Sequence, residues 1–281
     1  MDKVRLEDQT YNMLAQRTLV AILILPLGMM AVAAGGWVLT AVVAGLLAYA
    51  AWEYDHLFRL GGYHPSTPIL ILGTISIVLA RHIFQFTGSD LLIGLLVITA
   101  MAAQVSAFER GNQNAALDFT ITVGGVLYLG WLGAYLISIR SLPDGLWWML
   151  TVLPAILIGD AAAYFIGSRF GRHKLTRRVS PKKSWEGYIG GIITAGLGTM
   201  LLASLWHMRA PVITPEKGLI VGLVISILAP IGDLGESMLK RSFGVKDSSH
   251  LLPGHGGIMD RMDSWLWAAP IGYYLVLFLW I

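Results

Sequence analysis

Nine stretches of this chain are long, apolar and nearly free of charge: approximately 18–34, 37–57, 67–86, 89–107, 116–138, 144–166, 187–206, 217–237 and 264–281. Crossing the hydrocarbon core of a bilayer takes roughly 20 such residues per helix. Lipid offers no partner to backbone N–H and C=O groups, so continuous apolar runs must be helical. A membrane barrel would alternate apolar and polar residues instead. The fold class is therefore all-α: a polytopic integral membrane protein with about nine transmembrane helices. Only 13% of the 281 residues are charged, against about 25% in soluble domains. That excludes a soluble enzyme, a disordered chain and a disulfide scaffold. No repeat of 20–50 residues and no low-complexity linker interrupts the pattern. Residues 1–281 read as one membrane domain, with 1–143 as N-terminal helices and 144–281 as the half that carries the polar chemistry.

Charge placement sets the orientation. With the N-terminus inside, Arg81, Arg140, Arg209 and Lys217 fall outside, and the other sixteen of the 20 lysines and arginines fall inside. This asymmetry puts the N-terminus in the cytoplasm and supports the helix count. The formal charge of +3 is too small to imply nucleic acid. The first run has a rival reading as a signal peptide, because Ala31-Val32-Ala33 resembles a cleavage site. Asp2, Glu7 and Asp8 dilute its positive region, and the second run follows with almost no loop, as in a helical hairpin.

Two inner connections, 159–187 and 230–264, hold most of the unusual residues, so the expected site lies at the cytoplasmic face. Asp160 falls within the sixth span, where a carboxylate is costly and a functional candidate by default. Seven lysines and arginines crowd into 169–183. Arg169, Arg172, Arg177 and Arg178 suit contact with anionic headgroups. The tail of the run differs. Ser180-Pro181-Lys182-Lys183-Ser184-Trp185-Glu186-Gly187 sets hydroxyls and lysines at a helix start, the makings of an anion site for which phosphate is the natural ligand. Pro230-Ile231-Gly232 should break or bend the eighth span. On the resumed helix Asp233, Glu236 or Ser237, and Lys240 share a face.

The third element is Pro253-Gly254-His255-Gly256-Gly257, followed by Asp260, Arg261 and Asp263. Glycines permit close backbone approach, and such a loop can cradle phosphate oxygens. Asp260 and Asp263 share a face if helical. Cysteine is absent, and His250 and His255 lack the spacing of a helical zinc site, so zinc is disfavoured. Carboxylate oxygens suit Mg²⁺, which takes one or two carboxylates plus substrate phosphates. There is no P-loop string and no nucleophile elbow. Together these parts suggest phosphoryl or nucleotidyl transfer between a soluble nucleotide and a lipid, chemistry that rests on positioning and charge neutralisation.

The segment from Ser237 through Lys240, Arg241, Lys246, Asp247, Pro253, His255, Gly256, Gly257, Asp260 and Arg261 to Asp263 resembles the signature of the phosphatidate cytidylyltransferase (CDP-diacylglycerol synthase) family. The stretch from Asp160 through Ser180-Pro181-Lys182-Lys183-Ser184-Trp185-Glu186-Gly187 is similar too, with Ser184 where Thr is common. The N-terminal half resembles the family only in hydropathy. The resemblance implies conversion of CTP and phosphatidate to CDP-diacylglycerol and pyrophosphate, dependent on Mg²⁺. It also implies a two-metal centre in which Mg²⁺ is joined by a monovalent cation such as K⁺. It assigns metal to Asp233 and Asp260 with Asp160 in support, and catalytic charge neutralisation to Lys183, Lys240 and Arg261. Ser180, Lys182, Ser184, Ser237, Arg241, Lys246, His255, Gly256 and Gly257 would bind substrate. It further implies a multi-pass protein of the cell (inner) membrane and a homodimer, for which Gly187-x-x-x-Gly191 offers a packing face; close packing within the chain is the alternative use. A CTP-dependent lipid-alcohol kinase would lack the complete Lys240-to-Asp263 pattern. A transporter would show repeated halves and broken helices at mid-membrane.

Overall fold

In this computed structural model, residues 26–249, 251 and 256–280 are described. Residues 26–34 are helical. They are followed by α1 (Gly36–Leu60), α2 (Thr67–Phe84), α3 (Ser89–Glu109), α4 (Ala115–Gly125), a π-helical turn (Val126–Trp131), α5 (Tyr135–Ser141), α6 (Gly145–Phe170), α7 (Trp185–Trp206), α8 (Pro215–Leu228), α9 (Pro230–Ser242) and α10 (Met259–Trp280). Among the described residues there is no strand; Lys174 and Ser184 form an isolated antiparallel bridge. The protein is a polytopic helical membrane protein.

Seven stretches are long and apolar enough to cross a membrane: α1, α2, α3, Ala115–Ser141, α6, α7 and Pro215–Ser242. They match seven of the nine sequence runs. The run 264–281 is the body of α10, whose first turn is charged. Of the run 18–34, only 26–34 lies within the described residues, and the rest of the signal-peptide reading lies outside them. Ala31 and Val32 of the cleavage-like string are buried. Arg140 donates to the carbonyls of Val32 (2.8 Å) and Ala33 (3.1 Å).

The break expected at Pro230 is present as an interruption of the helix. Helix α8 stops at Leu228, Ala229 intervenes, and α9 resumes with Pro230 in its first turn, where a missing N–H costs nothing. Small residues set the packing of the C-terminal half. A Cβ on Gly187 would lie 2.5 Å from the Ala163 carbonyl, and one on Gly191 would lie 2.7 Å from the Gly159 carbonyl. Helices α6 and α7 therefore meet backbone to backbone, and the Gly187/Gly191 face is used within the chain.

Contacts between connections fall at two ends of the bundle. At one end the α1–α2 loop is pinned to the start of α4: the His64 N–H donates to Asp118 (2.7 Å) and the Ser66 N–H to Thr122 (3.0 Å). Phe58 stacks edge-on against Phe243, just after α9. At the other end Arg81, 1% exposed, lies over the rings of Phe86, Trp131 and Tyr135 at 3.7, 4.6 and 4.9 Å. Its guanidinium also donates to Ser138 (3.0 Å). Aromatic faces thus stabilise a buried cation through cation–π attraction.

Candidate active site

The basic connection before α7 is ordered by its own backbone. Lys174 and Ser184 form the isolated bridge, the Leu175 N–H donates to Lys183 O (2.9 Å) and the Trp185 N–H to His173 O (2.9 Å). Glu186 accepts from the N–H groups of Arg172 (3.1 Å) and His173 (3.2 Å) and pairs with the His173 ring. Ser184 caps α7, accepting from the Gly187 N–H at 3.2 Å, which gives its hydroxyl a structural use. Arg172, Arg177, Arg178 and Lys182 are exposed, Ser180 is half-buried, and Lys183 turns inward to an ion pair with Asp233.

On α9 the stripe read from the sequence forms. The Ser237 hydroxyl donates to Asp233 Oδ1 (3.3 Å), and Lys240 Nζ donates to Glu236 Oε2 (3.0 Å), both one turn apart. Lys240 also pairs with Asp260 in the first turn of α10. Asp233 and Asp260 therefore stand in separate ion pairs. Asp260 is further committed: its Oδ2 accepts from the Ser248 N–H (3.0 Å), the Ser248 hydroxyl (2.9 Å) and the Gly257 N–H (2.7 Å). Gly256 has φ +77°, and a Cβ there would lie 2.6 Å from Asp260 Oδ2. A Cβ on Gly257 would collide with the Ser248 hydroxyl and the Glu53 carboxylate. These two glycines are needed for the approach of side chains of the chain itself, a use the sequence reading did not foresee. Arg241 is exposed and donates to Val245 O (3.0 Å), while Lys246 and Arg261 are exposed. His255 lies outside the described residues.

Asp160 lines a cleft between α6, α7 and α8 with Gly159, Tyr188, Ser226 and Pro230. Its carboxylate is within Coulombic reach of Lys183 and Asp233. Asp263, given no role from the sequence, is within reach of Asp233 and Asp160. The close approach of α9 to α10 explains this: a Cβ on Gly232 would strike the Asp263 carbonyl and Trp267. The sequence signal for Asp263 was its spacing of three from Asp260 on one helix face.

The N-terminal half contributes two groups that the sequence reading passed over. Glu53 of α1 is fully buried against the loop preceding α10. Tyr128 sits in the π-helical turn, within Coulombic reach of Glu236, Asp263 and Asp233. The Tyr128 hydroxyl and Glu236 Oε1 are buried with no hydrogen-bond partner among the described residues. Such π turns occur frequently at functional sites. Glu53 in the run 37–57 is, like Asp160, an acidic residue inside an apolar run.

The carboxylates of Asp160, Asp233, Glu236, Asp260 and Asp263 outnumber the ammonium groups of Lys183 and Lys240 set among them. Excess negative charge on hard oxygen donors fits a divalent cation of the Mg²⁺ type. Among the described residues no three His, Asp or Glu side chains form a ready-made cage.

Residues 15–279 match the Cytidylyltransferase family. A phosphatidate cytidylyltransferase of Synechocystis is 30% identical, covering 94% of this chain and 97% of the relative. One of Pseudomonas aeruginosa is 33% identical over 92% and 95%, and one of Bacillus subtilis is 40% identical over 53% and 55%. With a family match over nearly its whole length, this chain belongs to the Cytidylyltransferase family.

Proposed function

We propose that this protein transfers CMP from CTP to phosphatidate, giving CDP-diacylglycerol and pyrophosphate for phospholipid synthesis. It is a membrane nucleotidyltransferase, and we place its site at the cytoplasmic face of the cell membrane. The observation that carries the reading is the convergence of Lys183–Asp233 and Lys240–Asp260 at one end of a membrane bundle. Relatives named for this activity align over most of the chain. The cytoplasmic orientation rests on the sixteen cationic residues assigned to the side that holds the site.

In the proposed reaction a phosphatidate phosphate oxygen bonds to the α-phosphorus of CTP. The α–β bridging P–O bond breaks, and pyrophosphate leaves with the electron pair. A phosphate monoester is already largely anionic at neutral pH, so no protein base is required. Lys183 and Lys240 neutralise phosphate charge from half-buried and buried positions, where ammonium groups act more strongly than in water. Arg261, Arg241, Lys246 and Lys182 supply further positive charge at the exposed rim. Asp233, with Asp263 and Asp160 beside it, would hold Mg²⁺, and Asp260 orders the loop on which the phosphates rest. When bound, Mg²⁺ neutralises charge on the triphosphate and the departing pyrophosphate. A monovalent cation such as K⁺ is a further expectation of the resemblance. Homodimerisation would need a surface other than Gly187/Gly191, since that face is taken up within the chain.

Purified protein with phosphatidate, MgCl₂ and CTP radiolabelled at the α- or γ-phosphorus tests the reading. Label from the α position should enter the lipid fraction, and label from the γ position should leave as pyrophosphate. A lipid labelled only from the γ position would make the protein a CTP-dependent kinase.

A further inference from the structure

We propose that Glu53 is a positioning residue that fixes the loop 248–259, the loop on which the nucleotide phosphates rest in the function proposed above. Glu53 belongs to α1, nearly 200 residues from that loop in sequence, and is 0% exposed. Its carboxylate accepts from the Ser249 hydroxyl and from the N–H groups of Ile258 (3.1 Å) and Met259 (2.7 Å), and it lies 3.2 Å from the Ser248 hydroxyl, whose single proton it shares with Asp260. Two of these groups precede the glycine-rich segment and two follow it. One side chain therefore ties the two ends of the loop together.

The chemistry matches the carboxylate in three respects. A carboxylate is acceptor-only with about four lone-pair sites, and three donors plus the shared Ser248 hydroxyl meet it here. The N–H groups at the start of α10 have no partner within the helix, and Glu53 supplies one from another helix. Negative charge at a helix N-terminus is also favoured by the helix dipole. The loop has no space for anything larger: a Cβ at Gly257 would collide with this carboxylate.

The tie continues into the site. The Ser248 hydroxyl lies within hydrogen-bond distance of both Glu53 and Asp260, and Asp260 pairs with Lys240. The sequence Glu53, Ser248, Asp260, Lys240, Glu236 thus joins α1 to α9, the helix that carries Asp233. The N-terminal half, which carries none of the signature, in this way holds the two ends of the signature loop.

The test compares Glu53→Gln and Ser249→Ala with the parent protein in the same membrane mimetic. Glutamine keeps the shape but offers a single acceptor oxygen and turns an NH₂ group toward donors. Ser249→Ala removes one donor and keeps the carboxylate. Hydrogen exchange of the Ile258 and Met259 amides should accelerate about tenfold or more in Glu53→Gln, and a few-fold in Ser249→Ala. Exchange across α6 and α7 should not change. The KM for CTP should rise about tenfold in Glu53→Gln, with a smaller fall in kcat. Unchanged exchange at Ile258 and Met259, or an equal rise across all helices, would overturn the proposal. If Glu53→Gln does not fold, the Ser249→Ala exchange result decides alone. A parent protein that makes no CDP-diacylglycerol would remove the proposed function, while the exchange data would still decide whether Glu53 orders the loop.

Discussion

Lys183 and Asp233, fifty residues apart in sequence, form an ion pair that joins the connection before α7 to the first turn of α9. Both side chains are about one-third exposed, at 29% and 31%. The pair is therefore held by the fold yet open to solutes. An arriving phosphate can attract Lys183, which leaves Asp233 available to a cation. The exposed Arg177 and Arg178 in the same basic run have no such connection to the carboxylates.

This difference predicts a split among cations that sequence alone would group together. Lys183→Ala should lower kcat/KM by about 10²–10³, the usual scale for one well-placed charge-stabilising donor. Arg177→Ala and Arg178→Ala should each cost less than about fivefold, because exposed charges are screened by salt. Assays at matched protein content in the membrane check both. Equal small losses for all three would leave the run as a headgroup anchor only.

The carboxylates should divide in the same way. Asp233→Asn and Asp263→Asn should each raise the Mg²⁺ concentration needed for half-maximal rate, since an amide oxygen is a weaker ligand for a hard cation. If both serve one ion, the double variant should be barely worse than either single variant. Asp260→Asn should instead raise the KM for CTP, because its oxygens are held by Lys240, Ser248 and Gly257. A Mg²⁺ titration of the variants separates the two roles. A large shift in Mg²⁺ requirement for Asp260→Asn alone would return the metal to that residue.

Hydropathy made the helices legible because lipid leaves the backbone no alternative to helix. The Asp233–Lys240 stripe and the break at Pro230 were legible because both are local: spacing on one helix and a missing N–H. The partners of those residues were not, because they depend on tertiary contact. Nothing within α9 says that Lys183 will meet Asp233, or that Gly232 will bring Asp263 alongside. Glu53 escaped for a different reason. It is one acidic residue in a half of the chain that shows no motif, and two of its donors are backbone N–H groups, which leave no trace in side-chain patterns.

Glycine substitutions test the backbone contact of α6 with α7. Gly191→Ala puts a methyl group 2.7 Å from the Gly159 carbonyl, and backbone cannot move aside as a side chain can. It should destabilise by about 1–3 kcal/mol, the usual cost of overpacking. Gly94→Ala in α3 meets nothing within 4 Å and should be neutral or stabilise by up to about 1 kcal/mol through helix propensity. Thermal unfolding in one detergent, read as the shift in Tm, distinguishes the two. A Gly191→Ala protein as stable as the parent would show that α6 and α7 can separate without loss.

The chain contains no cysteine, so a single introduced thiol reports topology without background. Ser248 lies in the signature but is a poor reporter, because it is buried and its hydroxyl contacts Asp260 and Glu53. Arg178 and Met208 are better placed. Arg178 is exposed in the basic connection between α6 and α7, and Met208 is 77% exposed in the turn between α7 and α8. Helix α7 separates them, and its 22 residues are enough to cross the hydrocarbon core. The two positions must therefore lie on opposite sides. The orientation proposed above expects Arg178 inside with Lys183 and the carboxylates, and Met208 outside beside Arg209. In intact cells a membrane-impermeant maleimide should label Met208→Cys and leave Arg178→Cys unmodified until the membrane is opened. The reverse pattern would put the site on the outer face, away from cytoplasmic CTP, and would sink the orientation together with the proposed reaction. Labelling of both from outside would mean that α7 does not cross the membrane.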